Sequence, residues 1–247
     1  ARMLSFPSRL PHRRQVLQTL AALASPLALA HPASVPASAK PVLIGIDGEF
    51  GLVNSTSAQA VELGARIALA EINRNGGVLG GRPLELVTRD HRSIAARGIR
   101  NVREFAAMPE LVAVLGGRFS PVIIEQLPWI KELRLPFMAV WSSADMIVDN
   151  GSKPNHVFRL SLRDSLAMPF MLDSAQRRGL HQLGLLLTNT SWGRSNLLAA
   201  ERHVARSKRL RVTDVAWYNW QETSLVERYL KLLDGGAQAV VLVANDD

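Results

Sequence analysis

Three stretches of this sequence set groups that hold small polar molecules where a folded chain would present them. Gly116-Gly117-Arg118-Phe119-Ser120-Pro121 follows an apolar run and opens a helical pattern. The free amides of a helix start, together with the Ser120 hydroxyl, make a cradle for a carboxylate. Ser120 also suits the cap of that helix, with Pro121 in its first turn, and the two roles are compatible. In Arg159-Leu160-Ser161-Leu162-Arg163-Asp164, the Asp164 carboxylate is either an acceptor for a ligand ammonium, a contact of ~1.5–3 kcal/mol, or the cap of the next helix. Asn189-Thr190-Ser191-Trp192-Gly193-Arg194-Ser195 holds a tryptophan in a polar, glycine-bounded loop. Stacking over an apolar side chain or a cation is the work such a residue can do.

Signatures of turnover are missing from the same sequence. Gly45-Ile46-Asp47-Gly48 lacks the spacing of a dinucleotide or phosphate loop, and the glycines at 76–81 follow a helix instead of opening one. No GxSxG nucleophile turn and no HExxH metal helix occurs. Histidines 12, 31, 91, 156, 181 and 203 stand at no metal-ligand spacing, and there is no cysteine for a disulfide or thiolate site. We expect no catalytic residue, no metal and no cofactor, and therefore a binder rather than an enzyme.

The elements that must position these loops alternate regularly. Short apolar runs at 42–46, 84–88, 112–115, 137–140, 157–159, 183–188, 212–217 and 239–244 read as strands. Helical patterns fall between most of them, at 58–75, 95–108, 121–133, 165–178, 194–206 and 224–234. This rhythm calls for an α/β fold, parallel sheets with helices on both faces. Ligands of such sheets bind outside the carboxyl ends of the strands, where the three loops lie. The first helix carries Leu63, Gly64, Ile67, Ala68 and Ile72 at spacings that line one face. The loop Asp149-Asn150-Gly151-Ser152-Lys153-Pro154 interrupts the rhythm between two groups of elements.

With 247 residues and 47% hydrophobic content, the chain can bury a substantial core, and a pair of lobes is a fair expectation. The formal charge of +8 suggests nucleic acid until it is located. Half of it comes from Arg2, Arg9, Arg13 and Arg14, in the acid-free residues 1–39. In the body, Arg202, Arg206, Lys208, Arg209 and Arg211 sit at a helix end, where cations suit the helix dipole. We expect no nucleic-acid partner. Residues 1–39 read as a secretory signal peptide with a flexible lead-in. Arg13-Arg14 precedes an apolar segment that ends Ala28-Leu29-Ala30, and a second small-residue site follows at Ala37-Ser38-Ala39. The apolar part, about 15 residues, falls short of the roughly 20 that span a membrane. Arg13-Arg14 also fits a twin-arginine signal.

The most distinctive string of the sequence is GARIALAEINRNGGVLGGRPLELVTRD, Gly64 to Asp90. Helix, double-glycine turn, double-glycine turn and strand follow in that order, and the wording resembles the first crossover of type I periplasmic binding proteins. Within that family the string is most similar to the branched-chain (Leu/Ile/Val) amino-acid receptors of ABC importers. The resemblance implies two doubly wound parallel-sheet lobes, 40–161 and 162–247, with a hinge crossing near 161–163 and the second lobe and the family's return segments incomplete. It also implies a periplasmic receptor that binds an amino acid or similar small polar metabolite by hinge closure and delivers it to an ABC permease. A ligand-sensing module of the same fold is the alternative. By resemblance, Ser120 holds a ligand carboxylate, Ser143 is a hydroxyl contact, Trp192 lies over the ligand from the second lobe, and Asn245 occupies a further contact position. Trp141 stands where a small residue is usual and would reshape the pocket. Ser57 replaces a possible tyrosine, and Arg118 either meets a second ligand carboxylate or points to solvent.

Overall fold

The computed structural model describes residues 40–52 and 56–245. The expected signal peptide lies outside the described residues. Two parallel sheets organise what is described. The first has β1 (Val42–Gly48), β2 (Leu84–Asp90), β3 (Leu111–Gly116), β4 (Phe137–Ala139) and β5 (Val157–Arg159) in the order β2-β1-β3-β4-β5. The second has β6 (Gln182–Thr188), β7 (Arg211–Tyr218) and β8 (Ala239–Val243) in the order β7-β6-β8. Every strand pairing within these two sheets is parallel. Helices α1 (Thr56–Arg74), α2 (Ala95–Ala106), α3 (Ser120–Glu132), α4 (Asp164–Arg177), α5 (Ser191–Val204) and α6 (Val226–Asp234) make the connections, with a single 3-10 turn at Asp145–Ile147. This is the α/β architecture of parallel sheets expected from the alternation, in the two doubly wound lobes that the resemblance implied.

Each lobe has its own core. Phe105, Val114, Ile123, Ile130 and Phe137 fill the first, and Met168, Leu172, Leu183, Leu185 and Leu187 the second. Strand β6 is central in its sheet and buried from Leu183 to Thr188, which explains its unbroken apolar run. Trp192 packs against both cores.

The Gly64–Asp90 crossover is held by features its sequence spells out. Gly76 and Gly77 take positive φ, and a Cβ on Gly77 would stand 2.3 Å from the Arg82 carbonyl oxygen. The Asn73 amide closes the unit, donating to Leu84 O at 2.9 Å and accepting from Leu84 N at 2.7 Å. The packed face of α1 differs from the expected one. Leu63 and Ile67 are 61% and 60% exposed, while Ala58 is buried and Val61, Ala65, Leu69 and Asn73 are half-buried. The packed face runs through Ala58, Val61, Ala65, Leu69 and Asn73, in line with the Asn73 clip that ties the end of the helix to β2.

The strand order reverses twice. In the first sheet the switch falls between β1 and β3, and in the second between β6 and β8. The carboxyl ends of those four strands lead into Glu49, the 117–120 turn, the 189–192 turn and Asn245. A crevice for a ligand opens at such points in an open α/β sheet.

Candidate functional site

The first wall of the crevice is built at the ends of β1 and β3. Ser120 is the first residue of α3 and is buried, and its hydroxyl oxygen accepts from Ala144 N at 3.4 Å. It therefore ties α3 to the 142–145 loop, and no side chain caps this helix. Arg118 does not point to solvent. It is 7% exposed, its Nε lies 3.6 Å from Glu49 Oε1, and its guanidinium sits over the Phe119 ring at 5.0 Å. Glu49 is fully buried and accepts the Ser57 hydroxyl at 2.7 Å, with His91 Nε2 3.7 Å away. Gly117 makes room for this cluster, since a Cβ there would come within 2.5 Å of Glu49 Oε2. Burial raises the Glu49 pKa above the usual carboxylate range, against the Ser57 hydrogen bond and the Arg118 charge. Desolvation lowers His91 to about 4, and it lifts neighbouring Asp47 to about 7 despite donors from Asn101 and Gln126.

The second wall comes from the starts of α4 and α5. Trp192 lies in the first turn of α5, which begins three residues earlier than its apolar pattern suggested. Gly193 permits this placement, because a Cβ there would fall 1.9 Å from Thr188 O. The Trp192 indole N–H reaches across to donate to Ser143 Oγ at 2.9 Å and to Asp164 Oδ1 at 3.2 Å. Asp164 is the first residue of α4, not its cap. Asp145 does the capping instead, accepting from Ser165 N at 2.9 Å. Asp164 is 2% exposed, and burial raises its pKa, opposed by the polar groups of Ser195, Ser143, Trp192 and Asn196.

Between the walls lies a cavity of about 460 Å³ lined by Trp141, Ser143, Asp164, Trp192 and Asn245. Five of the six residues singled out from sequence thus share one cavity, and Arg118 joins them. Ser120 is not part of its lining. Sequence reasoning missed Asn196, buried with its side-chain amide on Trp192 O at 3.1 Å. It also missed Trp220, whose ring meets Phe119 edge-on at 4.7 Å. Helical spacing four residues after Trp192 was the available signal for Asn196. Trp220 had none. Among the described residues no three histidine or acidic side chains gather as metal ligands.

A model of the periplasmic binding proteins matches residues 42–247. The chain belongs to the periplasmic binding protein family. A periplasmic binding protein of Burkholderia mallei superposes with a TM-score of 0.76 at 16% identity, covering 83% of this chain and 54% of that one. A solute-binding protein of an ABC transporter from R. palustris, in complex with 4-hydroxybenzoate, gives 0.72 at 16%, covering 83% and 54%. An ABC transporter substrate-binding protein from Desulfitobacterium hafniense, in complex with Leu, gives 0.66 at 25%, covering 82% and 58%. The chain therefore spans little more than half the length of these structures. No curated protein matches it significantly. As a periplasmic binding protein, it departs from what the Leu/Ile/Val resemblance implied at Ser57 and Arg118, which the Glu49 cluster takes up.

Proposed function

We propose that this protein is an extracytoplasmic solute-binding component of an ABC importer, taking an amino acid or similar small polar metabolite between its two lobes. The observation that carries the reading is the meeting of Trp192, Ser143 and Asp164 across a 460 Å³ cavity at the switch points of both sheets. That volume lies within the ~300–1,000 Å³ of small-molecule sites. Family membership supports a periplasmic location, and the D. hafniense and R. palustris relatives were solved with Leu and 4-hydroxybenzoate. In this reading residues 1–39 direct export, lobe 1 is 40–161, lobe 2 is 162–247, and the crossing at 161–163 is the hinge. The ligand docks on Ser143 and its neighbours, Trp192 and Asn245 close over it, and a permease receives the closed form. The protein performs no catalysis. A thermal-shift screen against the amino acids and small carboxylic acids tests this proposal, with a stabilising shift from one or a few compounds expected. A complete panel without a shift would overturn it.

A further inference from the structure

We infer that the pole of lobe 2 opposite the cavity is a docking surface for an anionic lipid membrane. The inference goes beyond the solute-binding reading and does not depend on which ligand the cavity takes. Two short segments build the pole. Helix α4 ends in Arg177 and Arg178, and α5 runs out through Arg202 and Arg206 into Lys208, Arg209 and Arg211. The two helices pack side by side, and His203 Nε2, 2.6 Å from Asp173 Oδ1, ties them near these ends. Arg211 N donates to His181 O at 2.9 Å, so both exits arrive together at the amino ends of β6 and β7. The cavity lies at the other end of the same helices, whose 14 residues span about 21 Å.

All seven of these cations are exposed, and among the described residues none of them is in an ion pair. Carboxylates nearby are few or taken. Asp173 faces His203, Asp214 lies 3.9 Å from Lys231 Nζ, and Asp234 ends α6 on the other face of the sheet. Within 177–181 and 201–211, Glu201 is the one carboxylate against the seven cations, a formal +6. Residues 40–247 as a whole hold 25 cations and 21 carboxylates, a formal +4, so positive charge is gathered at this pole and the rest is slightly acidic. None of the seven lines the ligand cavity. They stand on long stems at two helix ends and a connecting turn, which suits a fluid array of lipid phosphates and requires no single anion geometry. Phe170 is 68% exposed with Arg177 over its ring at 5.7 Å, and exposed Leu166 lies one turn before it. Cations flanked by exposed apolar side chains on one helix fit the headgroup boundary of a bilayer better than they fit a soluble acidic protein. In the solute-binding reading such a contact has a use. Held by this pole, the protein searches for its permease over a surface instead of a volume, with the cavity one helix length away.

Co-sedimentation with vesicles of phosphatidylcholine alone, and of phosphatidylcholine and phosphatidylglycerol in equal parts, tests this. The expected result is binding at least about tenfold tighter to the anionic vesicles at ~0.05 M salt, mostly lost by ~0.5 M because exposed charges are screened. Arg206→Glu, Lys208→Glu and Arg209→Glu combined should abolish this binding while the protein still melts cooperatively. Arg74→Glu, Lys131→Glu and Arg134→Glu combined make an equal charge change on exposed residues of lobe 1 and should retain most of it. Hydrogen exchange on the vesicles should slow at 205–211 and stay unchanged at 191–195, which reads the surface without any substitution. Equal binding to both vesicles, binding to neither, equal loss in the two triple variants, or protection away from the pole would each overturn the inference. So would complete displacement by polyglutamate at equal charge concentration, which would assign the pole to an acidic protein. All of these results leave the solute-binding reading standing, since ligand-induced melting shifts test that separately.

Discussion

Arg118 and Asp164 show how differently individual charges disclose themselves. Asp164 and Trp192 were legible as cavity-lining residues because each sits in a polar loop just beyond a strand, and Ser143 through the family resemblance. The fate of Arg118 was not legible, because its partner Glu49 lies in a separate loop and an arginine in a turn normally faces water. The same distance hid the buried cluster beside it, which makes a pH prediction. Asp47 is held near 7 in the folded state against 3.8 ordinarily, so the folded protein keeps a proton that the unfolded chain has lost. Its contribution is present below pH about 4 and is lost as pH rises through 7. His91, lowered to about 4 from 6.5, has the opposite slope and costs stability as pH falls from 6.5 to 4. Asp47→Asn should therefore melt higher than the parent at pH 8, with the gain vanishing toward pH 4. Gln126 Oε1, buried and without a partner, can accept from the new amide after its own amide turns over. A lower melting temperature at pH 8 would count against the assignment. Gly193→Ala, which drives a Cβ into Thr188 O, should cost ~2 kcal/mol or more in urea unfolding.

Element order was readable throughout, since each apolar run and each amphipathic stretch had one plausible state. Rotation and first turns were harder. Apolar spacing in α1 pointed to Leu63 and Ile67, but the helix turns the face of Ala58, Val61, Ala65 and Leu69 inward, the face that carries Asn73 and its bonds to both backbone groups of Leu84. A polar residue that clips a helix end to a strand carries no periodic signal. Asn73→Ala should remove both bonds and lower stability by ~1–3 kcal/mol, measured by denaturant unfolding. Stability unchanged within error would mean that packing alone orients α1. The early start of α5 has a similar origin. Its first turn depends on the glycine at 193 fitting against Thr188 O, a contact between neighbouring elements.

At the scale of the molecule, two sheets with reversed strand order bring their switch points to one cavity. Trp192 on Ser143 bridges it, and two contacts outside its lining also join the segments around the two sheets: Ser195 Oγ accepting from Asp145 N at 3.1 Å, and Trp220 against Phe119. The family-like crossover at Gly64–Asp90 made this scaffold recognisable but contributes nothing to the cavity lining. In the proposed reading recognition falls to the loops that line the cavity, where Trp141 and Arg118 depart from the pattern the resemblance implies, which is why the scaffold was clear in the sequence and the ligand was not. Isothermal titration of the parent protein and of Trp192→Ala with the compounds that shift the parent's melting tests the account most directly. The account predicts one site per chain in the parent and an affinity at least about tenfold weaker in Trp192→Ala, whose fold remains cooperative. Equal affinity in the two proteins, or no heat from any compound, would contradict it.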